Sequence, residues 1–151
     1  MATRGDRTPA ILCLPELSAA CAKKALDLGP QGLMFPMIES PDAAELAVLF
    51  CHFPPHGVRG SADTVVRASA YGIDDGYLAW VDEELLVMCQ VETAAGLAEI
   101  EAIAGVEGVD VVQMEPLDLS ASMGHLRDAM KEAGRKLGRN RGNEALIQNN
   151  F

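Results

Sequence analysis

Carboxylate side chains follow two short apolar runs of this chain. Glu115 and Asp118 come after one run, three residues apart around a proline, while Gln90 and Glu92 close another. Gln90 and Glu92 are two residues apart, so on a strand both side chains point to the same face. If the two runs form neighbouring parallel strands, about 5 Å apart, Glu92 and Asp118 lie close together. Two carboxylates beside an amide make a hard-oxygen site suited to Mg²⁺ or Mn²⁺.

The same carboxylates have a second interpretation as helix caps. Glu92 precedes Thr93, and Asp118 precedes the helical pattern of residues 119–123. Negative charge is favourable at a helix N-terminus, so either acid could serve its helix and bind nothing. Spacing alone leaves both interpretations open.

Four nearly continuous apolar runs predict buried strands, separated by helical patterns. The predicted strands are Ala10–Leu14, Gly32–Pro36, Leu85–Val91 and Val109–Met114. The predicted helices are Leu17–Leu28 ending at Gly29, a helix opened by Ser40-Pro41, and Thr93–Ala104 ending at Gly105, with shorter helical pieces at Val65–Ala70 and Gly76–Glu84. Four βα repeats predict an α/β fold with a parallel sheet, either doubly wound or part of a (β/α)8 barrel. In both folds, chemistry gathers at the carboxyl ends of the strands.

Composition narrows the class of protein. The chain has 151 residues, of which 49% are hydrophobic, which predicts one soluble domain with a real core. The net charge of −10 divides into −13 over residues 1–124 (6 Lys/Arg, 19 Asp/Glu) and +3 over 125–151 (6 and 3). An acidic body argues against nucleic acid as a partner. No glycine-rich phosphate loop follows a strand, so a nucleotide site has little support.

Targeting signals and cysteine usage predict a reducing compartment. No apolar run is long enough to cross a membrane, and the first ten residues lack the apolar segment of a secretory signal. The four cysteines lie in apolar contexts without a C-x-x-C pair, which predicts buried, reduced thiols. We expect a cytoplasmic protein, or a plastid protein if an upstream transit peptide has been lost.

Four stretches of the chain carry a resemblance to a known family. They are KKALDLGPQGLMFPMIES, FPPHGVRGSADTVVRASAYG, MCQVET and EGVDVVQMEPLDLSASMG. These resemble the HpcH/HpaI aldolases, which are metal-dependent pyruvate aldolases on a (β/α)8 barrel. Among them, the stretches are most similar to the plant-type members. The resemblance implies a partial barrel domain over residues 1–124, its four βα units corresponding to strands 3–6 of the family barrel. Residues 125–151 are then a divergent basic tail, helical or disordered.

The resemblance also assigns roles to five residues. Glu92 and Asp118 match the family's two metal ligands, and Gln90 matches a glutamine that contacts substrate. Leu117 and Asp118 match positions whose backbone N–H groups hold the pyruvyl carboxylate. Asp27 matches an aspartate that supports the catalytic base, and at a helix C-terminus its charge requires a partner. The implied cofactor is a divalent ion (Mg, Mn or Co), which lowers the cost of forming the pyruvate enolate from pyruvate or a 2-keto-3-deoxy acid.

Three departures from the family pattern bear on activity. The matched region starts at the third barrel strand, without the segment that carries the family's histidine base; His52, His56 and His125 are predicted to be ordinary surface residues. Cys13 occupies the position of the catalytic arginine, and a neutral thiol cannot replace a bidentate cation. Glu115 replaces a glycine, adding bulk and like charge beside Asp118, most simply with its side chain turned outward.

Three hypotheses follow from these features. The first is a metal-dependent aldolase-family protein that cleaves 2-keto-3-deoxy acids to pyruvate and an aldehyde, with impaired activity. The second is a non-catalytic remnant, a pseudoenzyme, that binds metal or keto acid or assembles with intact paralogues. The third is a truncated product without a stable function. Because an open sheet presents unpaired edges, we expect a homo-oligomer or an assembly with paralogues.

Overall fold

A computed structural model describes residues 9–128 and 130–132 of the chain. Within them, four strands form one parallel sheet in the order β1-β2-β3-β4. The strands are β1 (Ile11–Cys13), β2 (Gly32–Phe35), β3 (Leu86–Val91) and β4 (Val111–Met114). Each strand lies inside one of the predicted apolar runs, so the predicted α/β fold with a parallel sheet is confirmed.

Helices connect the strands, and three of the described helices begin after a side chain that caps them. The helices are α1 (Ala19–Leu26), α2 (Pro41–Cys51), α3 (Tyr77–Glu84), α4 (Ala94–Ala98), α5 (Ile100–Ala104) and α6 (Pro116–Ser122), with 3-10 turns at Asp63–Val65 and Arg67–Ser69. Ser18, Ser40 and Thr93 each accept a hydrogen bond from the backbone N–H three residues ahead. These bonds satisfy amides that have no acceptor inside the helix.

The predicted helix Thr93–Ala104 requires correction. It is divided into α4 and α5 at Glu99, whose backbone (φ −105°, ψ 10°) departs from helical geometry. Gly105 is in the right-handed region (φ −82°), whereas Gly108 has a left-handed φ of +91°. A Cβ at Gly108 would also lie 2.7 Å from Cγ1 of Val48 on α2. The helix ends at Gly105 as predicted, but the backbone position that requires glycine is Gly108.

One face of the sheet forms the hydrophobic core with the helices. The sheet residues Leu33, Phe35, Val87, Cys89 and Val91 are between 0% and 1% exposed. They pack in one cluster with helix residues that include Ala22, Leu26, Ala44, Ala47 and Ile103. Burial of each large apolar side chain stabilises the fold by roughly 1.5–3 kcal/mol, so this cluster holds the helices to the sheet.

The opposite face of the sheet carries side chains that lie outside this core cluster. We call it the open face; its residues are Ile11, Cys13, Met34, Leu86, Met88, Gln90, Val111 and Gln113. All eight are half-buried or exposed. Because side chains alternate along a strand, the open face and the core face are two sides of the same four strands.

Strand order separates the two predicted architectures. A doubly wound sheet reverses its strand order at a switch point, with helices on both faces. Here the order follows the chain without reversal, and the helices pack on one face. The four βα units are therefore a sector of a (β/α)8 barrel.

A second cluster forms around the buried side chain of Arg59. Its guanidinium carbon lies 4.3 Å from the Phe53 ring centroid, and Nη2 donates a 2.7 Å hydrogen bond to the Tyr77 hydroxyl. The Tyr77 ring in turn meets the Trp80 ring edge to face, with centroids 5.1 Å apart. Burial raises the pKa of Tyr77, partly offset by the Arg59 charge. These contacts fix the Pro/Gly-rich loop of residues 53–60 against α3.

The thiols differ in their expected reactivity. Burial raises the pKa of Cys51 to about 12 and that of Cys89 to about 11, which keeps both protonated near neutral pH. Cys21 is half-buried on α1, and Cys13 is exposed, so the prediction that all four cysteines are buried is wrong for these two. We expect iodoacetamide to modify Cys21 well before Cys51 and Cys89, because the thiolate is the nucleophile. Peptide mapping by mass spectrometry checks this order, and equally rapid modification of all three would contradict it.

The structure describes residues 125–128 and 130–132 of the predicted basic tail, and all of these except His125 are helical. Residues 129 and 133–151 lie outside the described residues, and the predicted boundary at residue 124 stays a prediction. In the described part of the chain, no helix has the length and apolar character needed to span a membrane.

Candidate functional site at the carboxyl ends of the strands

The predicted site residues gather at one edge of the sheet, apart from Asp27. Gln90 lies near the carboxyl end of β3, and Glu92 follows that strand directly. Asp118 lies in the first turn of α6, which follows β4. Since β3 and β4 are paired and parallel, both strands end at the same edge. This is the edge at which parallel α/β folds assemble their active sites.

Glu92 is held in place by the loop that follows β2. Its side chain is part of a residue only 6% exposed, and Oε1 accepts a 2.7 Å hydrogen bond from the Met37 N–H. Met37 has a left-handed φ of 54°, and the next amide, that of Ile38, donates to the Gln90 carbonyl at 3.1 Å. The helix cap at this point is Thr93, so the interpretation of Glu92 as a cap is wrong. A buried carboxylate bound to a backbone amide is a charge-assisted contact that fixes the side chain at the strand end.

Cys13 faces the same site across the sheet. It is the last residue of β1, and its Sγ lies 3.8 Å from Oε1 of Gln90. Both residues belong to the open face. A longer side chain at position 13 would therefore extend toward the strand-end edge that carries Gln90 and Glu92.

Helix α6 begins with unpaired backbone donors beside Asp118. The helix starts at Pro116, with Glu115 as its N-cap, so the interpretation of Asp118 as the cap of a helix starting at Leu119 is wrong. Leu117 and Asp118 stand at the second and third helical positions, where amides have no acceptor inside the helix. Glu115 makes no side-chain capping hydrogen bond to them. Two N–H groups at a helix N-terminus are suited to a carboxylate.

Glu115 has an ordinary backbone conformation. Its φ of −101° and ψ of 100° are open to any residue, and its N–H donates to the Val91 carbonyl at 3.1 Å. The backbone at this position therefore does not need the glycine that the family resemblance predicts. What the replacement adds is a half-buried side chain with a negative charge.

Asp27 lies away from the other predicted site residues. Helix α1 runs back from the carboxyl end of β1, so its C-cap Asp27 is at the amino edge of the sheet. The expected partner is present, because Lys23 Nζ lies 2.6 Å from Oδ2 and Arg59 Nη2 lies 3.8 Å from Oδ1. Within one chain, the structure does not bring Asp27 to Glu92.

The three histidines differ in exposure and in their partners. His56 and His125 are exposed, as predicted. His52 is half-buried, with 16% of its side chain exposed, and its Nδ1 lies 3.1 Å from Oδ1 of Asp82 near the end of α3. This pairing gives His52 a structural role between α2 and α3.

The oxygen ligands at the strand-end edge suit a hard divalent cation whose coordination is completed by water or substrate. Among residues 9–128 and 130–132, no group of three or more His, Cys, Asp or Glu side chains is arranged to hold a metal. Glu92 and Asp118 instead supply two carboxylates, next to the amide of Gln90. Mg²⁺ and similar ions are commonly held by one or two carboxylates, with water and substrate oxygens completing the coordination.

Sequence reasoning missed two residues that shape these regions. Met37 positions Glu92 through its amide, but methionine carries no sequence signal for a left-handed φ, which glycine or asparagine usually provides. Arg59 is buried although it lies in a loop rich in proline and glycine, where an arginine is ordinarily exposed. The aromatic residues at 53, 77 and 80 were a signal for a buried guanidinium, but only the tertiary structure brings them together.

Comparison with known proteins identifies the family of the chain. The family model HpcH/HpaI aldolase/citrate lyase matches residues 1–137. A hydroxypyruvate/pyruvate aldolase from Roseovarius nubinhibens is 38% identical over 126 residues, covering 83% of this chain and 49% of the relative. A 2-keto-3-deoxy-L-rhamnonate aldolase from Salmonella gallinarum is 40% identical over 115 residues, covering 76% of this chain and 43% of the relative. The chain therefore spans about half the length of the curated relatives it matches.

A solved structure confirms the architecture. The crystal structure of an HpcH/HpaI aldolase/citrate lyase family protein from Burkholderia cenocepacia J2315 superposes with a TM-score of 0.73 at 39% identity. The match covers 85% of this chain and 55% of that chain. The parallel βα units described above are thus similar to slightly more than half of that protein.

Proposed function

Because the chain belongs to the HpcH/HpaI aldolase/citrate lyase family, we propose that it binds a divalent cation together with pyruvate or a 2-keto-3-deoxy acid. The reaction class is carbon–carbon cleavage of the keto acid to pyruvate and an aldehyde. The names of the relatives, hydroxypyruvate/pyruvate aldolase and 2-keto-3-deoxy-L-rhamnonate aldolase, support this substrate class. The observation that carries the proposal is the position of Glu92 and Asp118 at the ends of two paired parallel strands.

Different groups of the site bind the cation and the substrate. Glu92 and Asp118 would hold Mg²⁺, Mn²⁺ or Co²⁺, with Glu92 oriented by the Met37 amide. When bound, such a cation supplies a Lewis acid that stabilises negative charge developing on the keto oxygen. The amides of Leu117 and Asp118 bind the carboxylate, and Gln90 contacts the keto acid from the strand. Two points of attachment orient the bond to be cleaved.

Turnover is expected to be slow, for two reasons. Among the described residues, no histidine is hydrogen-bonded to Gln90, Glu92 or Asp118, and His52 is paired with Asp82, so no histidine is held in place to move the hydroxyl proton. Cys13 supplies no positive charge where the family resemblance predicts an arginine. Removal of one group that stabilises developing charge typically costs a factor of about 10²–10³ in rate.

The alternative function is non-catalytic, either binding metal and keto acid or assembling with intact paralogues. It is favoured by Cys13 and by the half-buried Glu115, which places a like charge near Asp118. Both proposals share the same ligands, and they differ in whether pyruvate is released. We further propose a cytoplasmic location and a homo-oligomeric state.

Calorimetric titration with Mn²⁺, with and without pyruvate, tests the shared binding site. Asp118→Asn is expected to weaken Mn²⁺ binding by about 100-fold, the upper end of the effect seen for residues that only support a metal ligand. Asp75→Asn is the matched control, because Asp75 is an exposed carboxylate in the loop before α3. Equal binding to Asp118→Asn and the unsubstituted chain would mean that the carboxylates are vestigial.

Release of pyruvate from a 2-keto-3-deoxy acid then separates the two proposals. Slow release that Asp118→Asn abolishes supports the aldolase. Binding without release above that of Asp118→Asn supports the non-catalytic alternative.

A further inference from the structure

The open face has the composition of a buried surface. Of its eight residues, five are apolar, two are neutral amides and one is a thiol; none is charged (Ile11, Met34, Leu86, Met88, Val111; Gln90, Gln113; Cys13). Parallel sheets occur almost only with both faces covered. In the described part of the chain the helices cover one face, so this face requires a partner surface.

The sheet also has two edges that can accept another strand. In the described order, β1 and β4 are the terminal strands, each paired with one neighbour. An incoming strand that continues the parallel pattern beside β4 runs in the same direction as β1. Unpaired edges of this kind bind another chain or cause aggregation.

A second copy related by a two-fold rotation would cover the open face and pair with both edge strands. In a (β/α)8 barrel, rotation by half a turn about the barrel axis carries each strand onto the fourth strand along. Four consecutive strands and their rotated copy thus fill the barrel, with β4 of one copy parallel to β1 of the other at both junctions. The rotation leaves strand direction unchanged, so the carboxyl ends of both copies meet at one rim. The symmetry is closed, and no edge remains.

We infer that two copies of this chain form one closed eight-stranded barrel, with the open face of each copy buried against that of the other. This specifies the homo-oligomer of the proposed function. The two sets of Gln90, Glu92 and Asp118 then lie around a single rim. Each site gains the second half of the barrel wall, which one copy does not supply.

Sedimentation equilibrium of the 151-residue chain tests the inference, in 0.15 M salt to screen repulsion between two acidic chains. The expected mass is twice the 16.1 kDa of one chain. Met88→Lys places a charge at the centre of the open face, on β3, and is expected to lower the mass to that of a monomer. Leu46→Lys is the matched control, because Leu46 is 43% exposed on α2 and its substitution should leave the dimer intact. Circular dichroism establishes that both variants are folded.

Crosslinking provides a second measurement that does not depend on Met88→Lys folding. In the proposed barrel the two Cys13 side chains lie on opposite strands and point into the interior, which is about 12–15 Å across. In a Cys21→Ser background, a flexible thiol crosslinker should join Cys13 of the two copies and give a covalent dimer. The matched control carries Cys13→Ser in the same background and should give no covalent dimer, because Cys51 and Cys89 are buried.

A monomer, a polydisperse aggregate, or a dimer that Met88→Lys and the crosslinker leave unaffected would overturn the inference. A monomer would mean that a different polypeptide covers the open face. None of these measurements requires turnover. A dimer that releases no pyruvate would uphold the barrel and reject the aldolase, and a monomer that releases pyruvate would do the reverse.

Discussion

Cys13→Arg is expected to raise the rate of pyruvate release by about 10²–10³-fold, the effect usually associated with one group that stabilises developing charge. Position 13 ends β1, is exposed, and lies 3.8 Å from the Gln90 amide oxygen, measured from Sγ. A guanidinium placed there has five N–H donors in a planar fork, which can bind the keto oxygen and the amide together. The thiol of Cys13 is neutral and has no planar set of N–H donors.

Cys13→Lys is the control for this gain. Lysine brings the same charge without the planar fork, so its effect is expected to be clearly smaller. The measurement is kcat/KM for a 2-keto-3-deoxy acid in the presence of Mn²⁺, with Tm recorded for each variant. Equal rates for the arginine and lysine variants would show that charge alone matters. No gain in either would mean that a lost base, and not the lost cation, limits turnover.

Arg59→Ala is expected to lower the free energy of unfolding by about 2–4 kcal/mol. The substitution removes a desolvated cation–π contact with Phe53, worth about 2 kcal/mol. It also leaves the buried Tyr77 hydroxyl without its 2.7 Å donor, which costs about 1–3 kcal/mol. The loss is moderated because Nε and Nη1 of Arg59 are buried without a hydrogen-bond partner among the described residues.

Urea unfolding measures this difference, with Arg67→Ala as the control. Arg67 is an exposed arginine of the same loop region, and its removal should change stability by less than about 0.5 kcal/mol. A second measurement follows the Tyr77 phenol by ultraviolet absorbance. Burial raises the pKa of Tyr77 and Arg59 lowers it, so Arg59→Ala should move its ionisation to higher pH. An unchanged titration in a folded variant would contradict the contact.

The sequence by itself determined the strands, most helix starts and the class of fold. A nearly continuous apolar run such as residues 86–91 favours a strand of a parallel sheet, and Ser40-Pro41 favours a helix start. The sequence did not show that only alternate residues of that strand are buried. It also identified Glu92 and Asp118 as carboxylates that end neighbouring strands. These properties are local, since they depend on residue type and on spacing within a few residues.

Only the tertiary structure decided what surrounds those residues. The amide that holds Glu92 comes from Met37, 55 positions away, in a backbone conformation that methionine rarely adopts. The same is true of Asp27, which the family resemblance assigned to the site but which α1 carries to the opposite edge of the sheet. Contacts of this kind depend on how distant segments meet in three dimensions, and one sequence carries no record of distances between them. The residue types therefore predicted which side chains at the strand ends could bind a cation. The positions of the groups that hold those side chains, such as the Met37 amide, depended on tertiary packing.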